Sequence, residues 1–581
     1  MVALAKLGQN TRQEKRLTIQ VADIAEDTTT IRSLDWDRDR FDIEFGLQNG
    51  TTYNSYIIKG EKTALVDTSH EKFRQLYLET LEGVIDPATI DYIVISHTEP
   101  DHSGLVKDVL ELAPNATVVG AKVAIAFLED LVHRPFERII VKTGSTLDLG
   151  NGHTLEFISA PNLHWPDTIF TYDAKTSILF TCDAFGMHYC DDHTFDEDLK
   201  AIEPDYRFYY ECLMAPNARS VLSAMKRMNK LEGDITTIAT GHGPLLRHNL
   251  TELTGRYWEW SQAKAKAEAR AAVFYVSDYG YSDRLSQAIA RGITKVGVAV
   301  DMLDLKTADA QEINELVSHA AALVVATPPA TGTFASQAQA AVSTILAAAK
   351  DKQLIGMFEC YGGDDEPIDP ILTKFRDLGL KKGFDSIRVK DTPTESIYQL
   401  CEESGTDLGQ ALTVKSKTKK IKSLDAEMEK ALGRISSGLY ILTAKKGDLT
   451  GAMLASWVSQ ASFEPLGFTV AVAKDRAIES LMQVGDRFVL NILEEGNYNH
   501  LMKHFLKRFP PGADRFAGVK TRVAENGSPI LAEALAYLEC EVSTRMDCSD
   551  HWIVYSTVTL GKVSNPEGLT AVHHRKVGNY Y

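Results

Sequence analysis

The chain has 581 residues, 44% of them apolar, and a net charge of −17. That length is too great for a single core and implies three or four domains, and the acidic balance disfavours nucleic acid and anionic membrane as partners. No apolar run approaches the ~18 residues of a membrane span, the start M-V-A-L-A-K-L-G-Q-N-T-R lacks a secretory core, and seven scattered Cys without a C-x-x-C pair point to a reducing, cytoplasmic setting.

Residues 30–265 read as one domain. Strand-like stretches such as Thr52–Ile58 and Lys62–Val66 alternate with helical ones such as Lys72–Leu78, and the polar stretch Trp260–Arg270 closes it. Four short apolar runs each precede a loop carrying metal-binding side chains. Ile93–Ile95 leads into H-T-E-P-D-H, with His97, Glu99, Asp101 and His102; Phe157–Ile158 precedes His164, Ile178–Phe180 precedes Asp183, and Ile235–Ala239 precedes His242. A loop leaving a buried strand lets a rigid sheet aim side chains at a shared centre. Four imidazoles and three carboxylates suffice for two metal ions with three terminal ligands each and one bridging carboxylate. The lack of thiolates argues against a structural zinc knot, and Glu99 gives a mixed nitrogen–oxygen shell that leans towards iron. A lone His in such a place is usually a surface or capping residue; H-x-E-x-D-H with three spaced partners is not.

Residues 271–412 switch to a β-α rhythm, which implies a doubly wound parallel sheet. Ala271–Val276 is a buried strand, S-D-Y-G-Y-S-D follows, and Leu285–Ile293 is an amphipathic helix. The hydroxyls of Ser277 and Ser282 and the amides opening the helix make a phosphate cradle, and Gly280 admits a close backbone approach. The loop, with Tyr279 and Tyr281, is similar to the FMN-phosphate loop of flavodoxins. Two more strands, Ala322–Ala326 and Leu354–Phe358, lead to loops where that fold flanks the isoalloxazine ring: Thr327, Pro328, Ala330, Thr331 and Gly332 in one, Tyr361, Gly362, Gly363 and Asp364 in the other. Related loops commonly carry an aromatic after Y-G; an acidic group there instead would disfavour an anionic reduced flavin.

Residues 413–423, with five Lys in eleven positions, read as a basic solvated linker, or as a docking site for an acidic electron carrier. Residues 424–581 carry many short β runs, among them Ser437–Ala444, Phe468–Val472, Phe488–Ile492, Leu538–Val542 and Ile553–Thr559, as a barrel would. Leu449–Pro465 resembles the split barrel of flavin reductases, in which the segment matching Ala455, Ser456, Trp457, Val458, Ser459 and Gln460 lines the flavin. The same A-S-W-V-S-Q also suits a buried strand with a core Trp. His551 is a candidate contact for flavin or nucleotide, or a satisfied His at a strand start. Arg575 and Lys576 either meet a phosphate or sit in solvent. No G-x-G-x-x-G occurs, so a Rossmann site for NAD(P)H is not expected.

The H-x-E-x-D-H cluster with His164, Asp183 and His242 resembles the flavodiiron proteins, and the three-part order resembles the members found in cyanobacteria and other oxygenic phototrophs. The resemblance implies an α/β and α+β multidomain chain: a metallo-β-lactamase-like αββα sandwich, a flavodoxin-like doubly wound sheet and a flavin-reductase-like split barrel. It implies one iron on His97, Glu99 and His164, a second on Asp101, His102 and His242, and a bridging Asp183; members differ in whether the residue matching His102 binds iron. It further implies FMN in the flavodoxin-like domain, FMN or FAD in the reductase-like domain, NAD(P)H or reduced ferredoxin as donor, and a head-to-tail homodimer or heterodimer with a related chain. The implied activity is reduction of O₂ to water with electrons relayed through flavin, protecting a photosynthetic electron chain, or reduction of NO at the same irons. The readings outside this class are a dinuclear zinc hydrolase and a non-catalytic flavin-binding partner subunit.

Overall fold

The computed structural model describes residues 16–38, 40–41, 45–265, 269–276, 281–306, 308–329, 335–360, 368–422 and 426–575. They form two compact units, one made of residues up to 40 with 47–210 and 223–257, the other of 258–581 with 41–46 and 211–222. No helix among the described residues is long and apolar enough to cross a membrane.

The first unit is built on two sheets. The larger runs in the order Leu17–Ala25, Thr28–Asp35, Thr51–Lys59, Thr63–Val66, Ile90–Val94, Thr117–Gly120, Glu137–Ile140. The smaller runs Thr146–Gly150, His153–Ser159, Ile169–Asp173, Ile178–Cys182, Thr237–Thr240. Tyr56, Val66 and Val94 of the first sheet pack against Phe157, Ile169 and Phe180 of the second, which makes the dry centre of the sandwich. The other face of the larger sheet is covered by helices through Tyr77, Leu81, Val109 and Leu128. The domain starts upstream of residue 30, because Leu17–Ala25 pairs with Thr28–Asp35. It is a half-exposed edge strand, and its alternation is too weakly apolar to stand out in the sequence.

In the second unit, Ala299–Asp304, Arg270–Tyr275, Ala322–Ala326 and Leu354–Cys360 lie side by side, all parallel, with Lys381–Lys382 and Ile387–Val389 both pairing with the last. The first strand in sequence thus sits between the second and the third, the switch point at which a doubly wound sheet opens a crevice for a ligand. Helix Ser282–Lys295 packs against helix Glu395–Lys422 with almost no space between backbones. A Cβ on Gly292 would lie 2.0 Å from the Glu402 carbonyl oxygen, and one on Gly405 2.0 Å from that of Ile289.

Helix Glu395–Lys422 runs through all but the last residue of 413–423, so the stretch expected as a basic linker is helical there. Lys is a good helix former and the stretch has neither Gly nor Pro to stop it. Beyond it, seven antiparallel strands form a sheet ordered Leu449–Ala455, Tyr440–Lys446, Arg487–Ile492, Ala536–Cys548, His551–Val563, Leu466–Ala473, Val458–Phe463. Its interior is filled by Leu442, Val470, Phe488, Leu490 and Val554.

Gly405→Ala forces a methyl into the Ile289 backbone, and overpacking of this kind costs about 1–3 kcal/mol. The expected result is a lower Tm for the second unit in calorimetry. An unchanged Tm would show that the two helices are not in contact at this point.

Candidate metal centre

All four loops leave one end of the sandwich. The strand Ile90–Val94 stops two residues before Ser96, and Pro100 opens a single helical turn, Pro100–Ser103, that places Asp101 and His102 beside His97 and Glu99. Ile178–Cys182 runs parallel to Thr237–Thr240, so Asp183 and His242 emerge next to each other. Ile169 N–H donates to the Ser96 carbonyl at 2.8 Å and stitches the His164 loop to the His97 loop.

The result is one buried cluster of all seven side chains. Glu99, Asp101 and His164 are 4–5% exposed and the other four are fully buried. Asp183 stands in the middle, with its two oxygens facing different groups. Oδ2 is 2.8 Å from His164 Nε2 and 3.6 Å from His97 Nε2, while Glu99 Oε2 lies 2.9 Å from the same His164 atom. Oδ1 is 3.0 Å from His102 Nε2 and 3.3 Å from His242 Nε2, and Asp101 Oδ2 is 3.3 Å from His242 Nε2. Three overlapping groups are each compact enough for a single ion: His97–Glu99–His164–Asp183, Asp101–His102–His242, and His97–His102–Cys182–Asp183, which adds only the Cys182 thiol to side chains of the first two.

The donor atoms suit metal better than they suit each other. Glu99 Oε2, both Asp101 oxygens and both Asp183 oxygens are buried and receive no properly directed hydrogen bond. Buried carboxylates without such partners are costly unless a cation compensates them. The protonation pattern tells the same story. Burial by itself would lower His97, yet Asp183 and Glu99 push it up to about 9. Burial likewise opposes the charge on His242, which the neighbouring Asp101 and Asp183 carboxylates push up to about 10. Burial and Asp101 act to raise Glu99, but His164 and His97 bring it down to about 2. Protons on the imidazoles do the neutralising that divalent ions would do, and binding such ions would expel them.

Several groups that position the ligands went unnoticed in the sequence. The Thr52 carbonyl lies 2.6 Å from His242 Nδ1, which fixes the tautomer with Nε2 aimed at the cluster. The His102 backbone oxygen accepts from Thr68 N at 2.7 Å and Thr68 Oγ1 at 2.6 Å. Asp167 accepts from Thr98 N at 3.0 Å and from its hydroxyl at 2.6 Å. His188 is held by Thr51 Oγ1 at 2.8 Å and packs edge-on against His242 with ring centroids 4.7 Å apart. Only Gly241 left a legible signal, in the G-H-G run: a Cβ there would lie 2.7 Å from His102 Cε1.

The flavin-site candidates divide into three groups. Ser277, Tyr279, Gly280, Ala330, Thr331, Gly332, Tyr361, Gly362, Gly363 and Asp364 lie outside the described residues. Ser282 is buried in the first turn of its helix, and the Tyr281 hydroxyl is 3.1 Å from Thr392 Oγ1. Thr327 N–H donates to the Phe358 carbonyl at 2.9 Å, with buried Pro328 next to it at the mouth of the sheet. In the third domain, Ala455 and Ser456 are buried and Gln460 is exposed. Trp457 is not a core residue: it sits on the turn between Leu449–Ala455 and Val458–Phe463, 36% exposed. Its ring meets that of His551 at 5.2 Å, and the Arg575 guanidinium lies 5.1 Å over it. His551 does open a strand, with Nδ1 2.8 Å from Asp550. Residues far apart in sequence thus share one aromatic and cationic surface.

Comparison with known proteins agrees with this division of the chain. Residues 51–243 match the ODP family beta lactamase model, 273–405 the flavodoxin model and 432–580 the flavin reductase like domain model. The chain is 70% identical over 572 residues to diflavin flavoprotein A 1 of Synechocystis sp., covering 98% of this chain and 99% of that protein. Among solved structures it is similar to the metal-soaked Flv1 flavodiiron core of Synechocystis sp. PCC6803, with 40% identity and a TM-score of 0.63 over 68% of this chain and 99% of that one.

If Asp183 serves both groups, Asp183→Ala should abolish binding of both ions, whereas Gly241→Ala, which crowds His102, should weaken chiefly the Asp101–His102–His242 group. Disturbing a residue that only orients a ligand ring costs about 10–100-fold in affinity. Elemental analysis of the purified variants checks both. A full metal complement in Asp183→Ala would rule out a shared carboxylate.

Proposed function

The chain belongs to the diflavin flavoproteins A, three-domain flavodiiron proteins, and from that membership we propose that it reduces O₂ to water with electrons relayed through flavin from NAD(P)H or another reductant. The family is one of oxidoreductases that carry a diiron site and FMN. When bound, the irons and flavins supply the redox chemistry, and the protein supplies position, polarity and exclusion of water.

The observation that carries the proposal is the placement of Asp183, one oxygen towards each ligand group. His97, Glu99 and His164 would hold one iron; Asp101, His102 and His242 would hold the other. Trp165, Tyr53 and Tyr209, each almost fully buried, wall the cluster, with ring centroids 6.1 Å from His97, 5.7 Å from His242 and 6.1 Å from His242 respectively. This keeps bulk water away from the cluster. The carboxylate-containing shell favours iron over the imidazole-rich shells of hydrolytic zinc pairs. In the third domain, Trp457, His551 and Arg575 offer a planar stacking surface with a cation beside it, suited to a flavin or a nicotinamide nucleotide. Head-to-tail pairing with a second copy or a related chain, and a cytoplasmic location, belong to the same proposal.

The test has two arms. Elemental analysis with a visible spectrum of the purified protein should show iron together with flavin. Stopped-flow oxidation of the fully reduced protein should then be fast with O₂ and slower with NO. His97→Ala is expected to retain the flavin spectrum and lose O₂ consumption by about 100-fold or more. Zinc in place of iron would refute the proposal, and so would unimpaired O₂ consumption by that variant.

A further inference from the structure

Five charged side chains meet at low exposure in the second unit. They come from both the flavodoxin-like and the reductase-like parts. Glu402, on helix Glu395–Lys422, pairs with Arg291 and Lys295 of helix Ser282–Lys295. Lys295 also reaches Glu479 Oε2 at 2.5 Å, and Glu479 belongs to the reductase-like part, where it pairs with Arg545 on Ala536–Cys548. Glu402 and Glu479 are each 5% exposed. We propose that Glu479 is the keystone of an intramolecular docking surface that locks the reductase-like domain onto the flavodoxin-like domain in one orientation.

Three further observations support a built interface. First, the helix that joins the two parts presents one stripe to the reductase-like domain. Glu403 accepts from Gly512 N at 3.0 Å and pairs with Arg515 at 2.9 Å; Asp407 pairs with Arg508 at 2.8 Å; Gln410 donates to Asp475 at 3.1 Å. Positions 403, 407 and 410 share one helical face. Second, the neighbouring face carries Glu402, Gly405 and Gly409, and its glycines bring the backbone against helix Ser282–Lys295 so that Glu402 can lie between Arg291 and Lys295. Third, burial would raise the Glu479 carboxyl, yet Lys295 and Arg545 hold it well below the ordinary range, so it is ionised where it sits. An ionised carboxylate that deep is tolerated only while both cations stay in place, and those cations belong to different domains.

The network also reaches the stacking surface. The Arg545 guanidinium lies 4.2 Å over Trp552, the chain neighbour of His551, whose ring meets Trp457. Docking and the shape of that surface therefore share one hairpin.

The experiment uses the full-length protein. Small-angle scattering at low and high salt reads the maximum dimension, and trypsin cleavage between residues 413 and 435 reads access to the junction. Wild type should give the same maximum dimension at both salts, because a buried network is poorly screened. Glu479→Gln leaves one carboxylate among three cations. It should lengthen the particle and speed cleavage about tenfold, as expected when an opening becomes more populated. The double variant Lys295→Met with Glu479→Met restores the excess of one cation and should return both readings towards wild type. It also stands in for the single variant should that one fail to fold. A salt-dependent dimension in wild type would overturn the proposal. So would unchanged cleavage in Glu479→Gln, or a double variant as open as the single one.

Discussion

Everything in the first unit answers to one constraint: three carboxylates and four imidazoles must be held together where water does not reach. Desolvating that many polar groups is prohibitive unless their charges cancel locally. Asp183 makes the cancellation possible because it stands between the two ligand groups and serves each with a separate oxygen. The aromatic walls then follow, since any water admitted would compete for the same donor atoms.

The cluster is rigid because the backbone behind it is pinned. Strands on both sheets end at the same rim, and their loops are tied by main-chain bonds such as Asn54 N–H to the Gly241 carbonyl at 2.9 Å. Thr52, Thr68 and Asp167 then fix ring tautomers and loop paths. Cys182 adopts φ 52°, an uncommon conformation for a residue other than Gly, and this turns the chain so that Asp183 points inward. Strain of this kind persists where the surroundings over-determine it, and it tends to gather at functional sites.

The second unit solves a different problem. Its sheet order opens a crevice at the switch point, and its long helix serves two neighbours at once: glycines and Glu402 towards one helix, Glu403, Asp407 and Gln410 towards loops of the reductase-like part. A flexible tether would have left the stacking surface formed by Trp457, His551 and Arg575 without a fixed distance to the flavodoxin-like sheet. A continuous helix with a buried ionic contact behind it gives that surface a defined place.

The sequence by itself determined which seven side chains would be brought into one cluster, the parallel sheet and the order of the three parts. Metal chemistry needs particular side chains, a buried parallel strand needs a continuous apolar run, and both can be read position by position. His97, Glu99, Asp101 and His102 announced themselves because one turn of chain carries them all. The tertiary structure alone decided the rest. Which oxygen of Asp183 faces which group depends on two strands lying parallel. That Trp457 is exposed on a turn and meets His551 and Arg575, rather than filling a core, depends on pairings across about a hundred residues. The basic stretch after residue 412 is helical as the continuation of a helix that begins at Glu395, a continuity that its charge pattern alone does not record. Glu402 and Glu479 look like ordinary surface acids in a chain of −17. Only packing puts them against Lys295 at low exposure, where an ion pair has structural weight that it lacks in water.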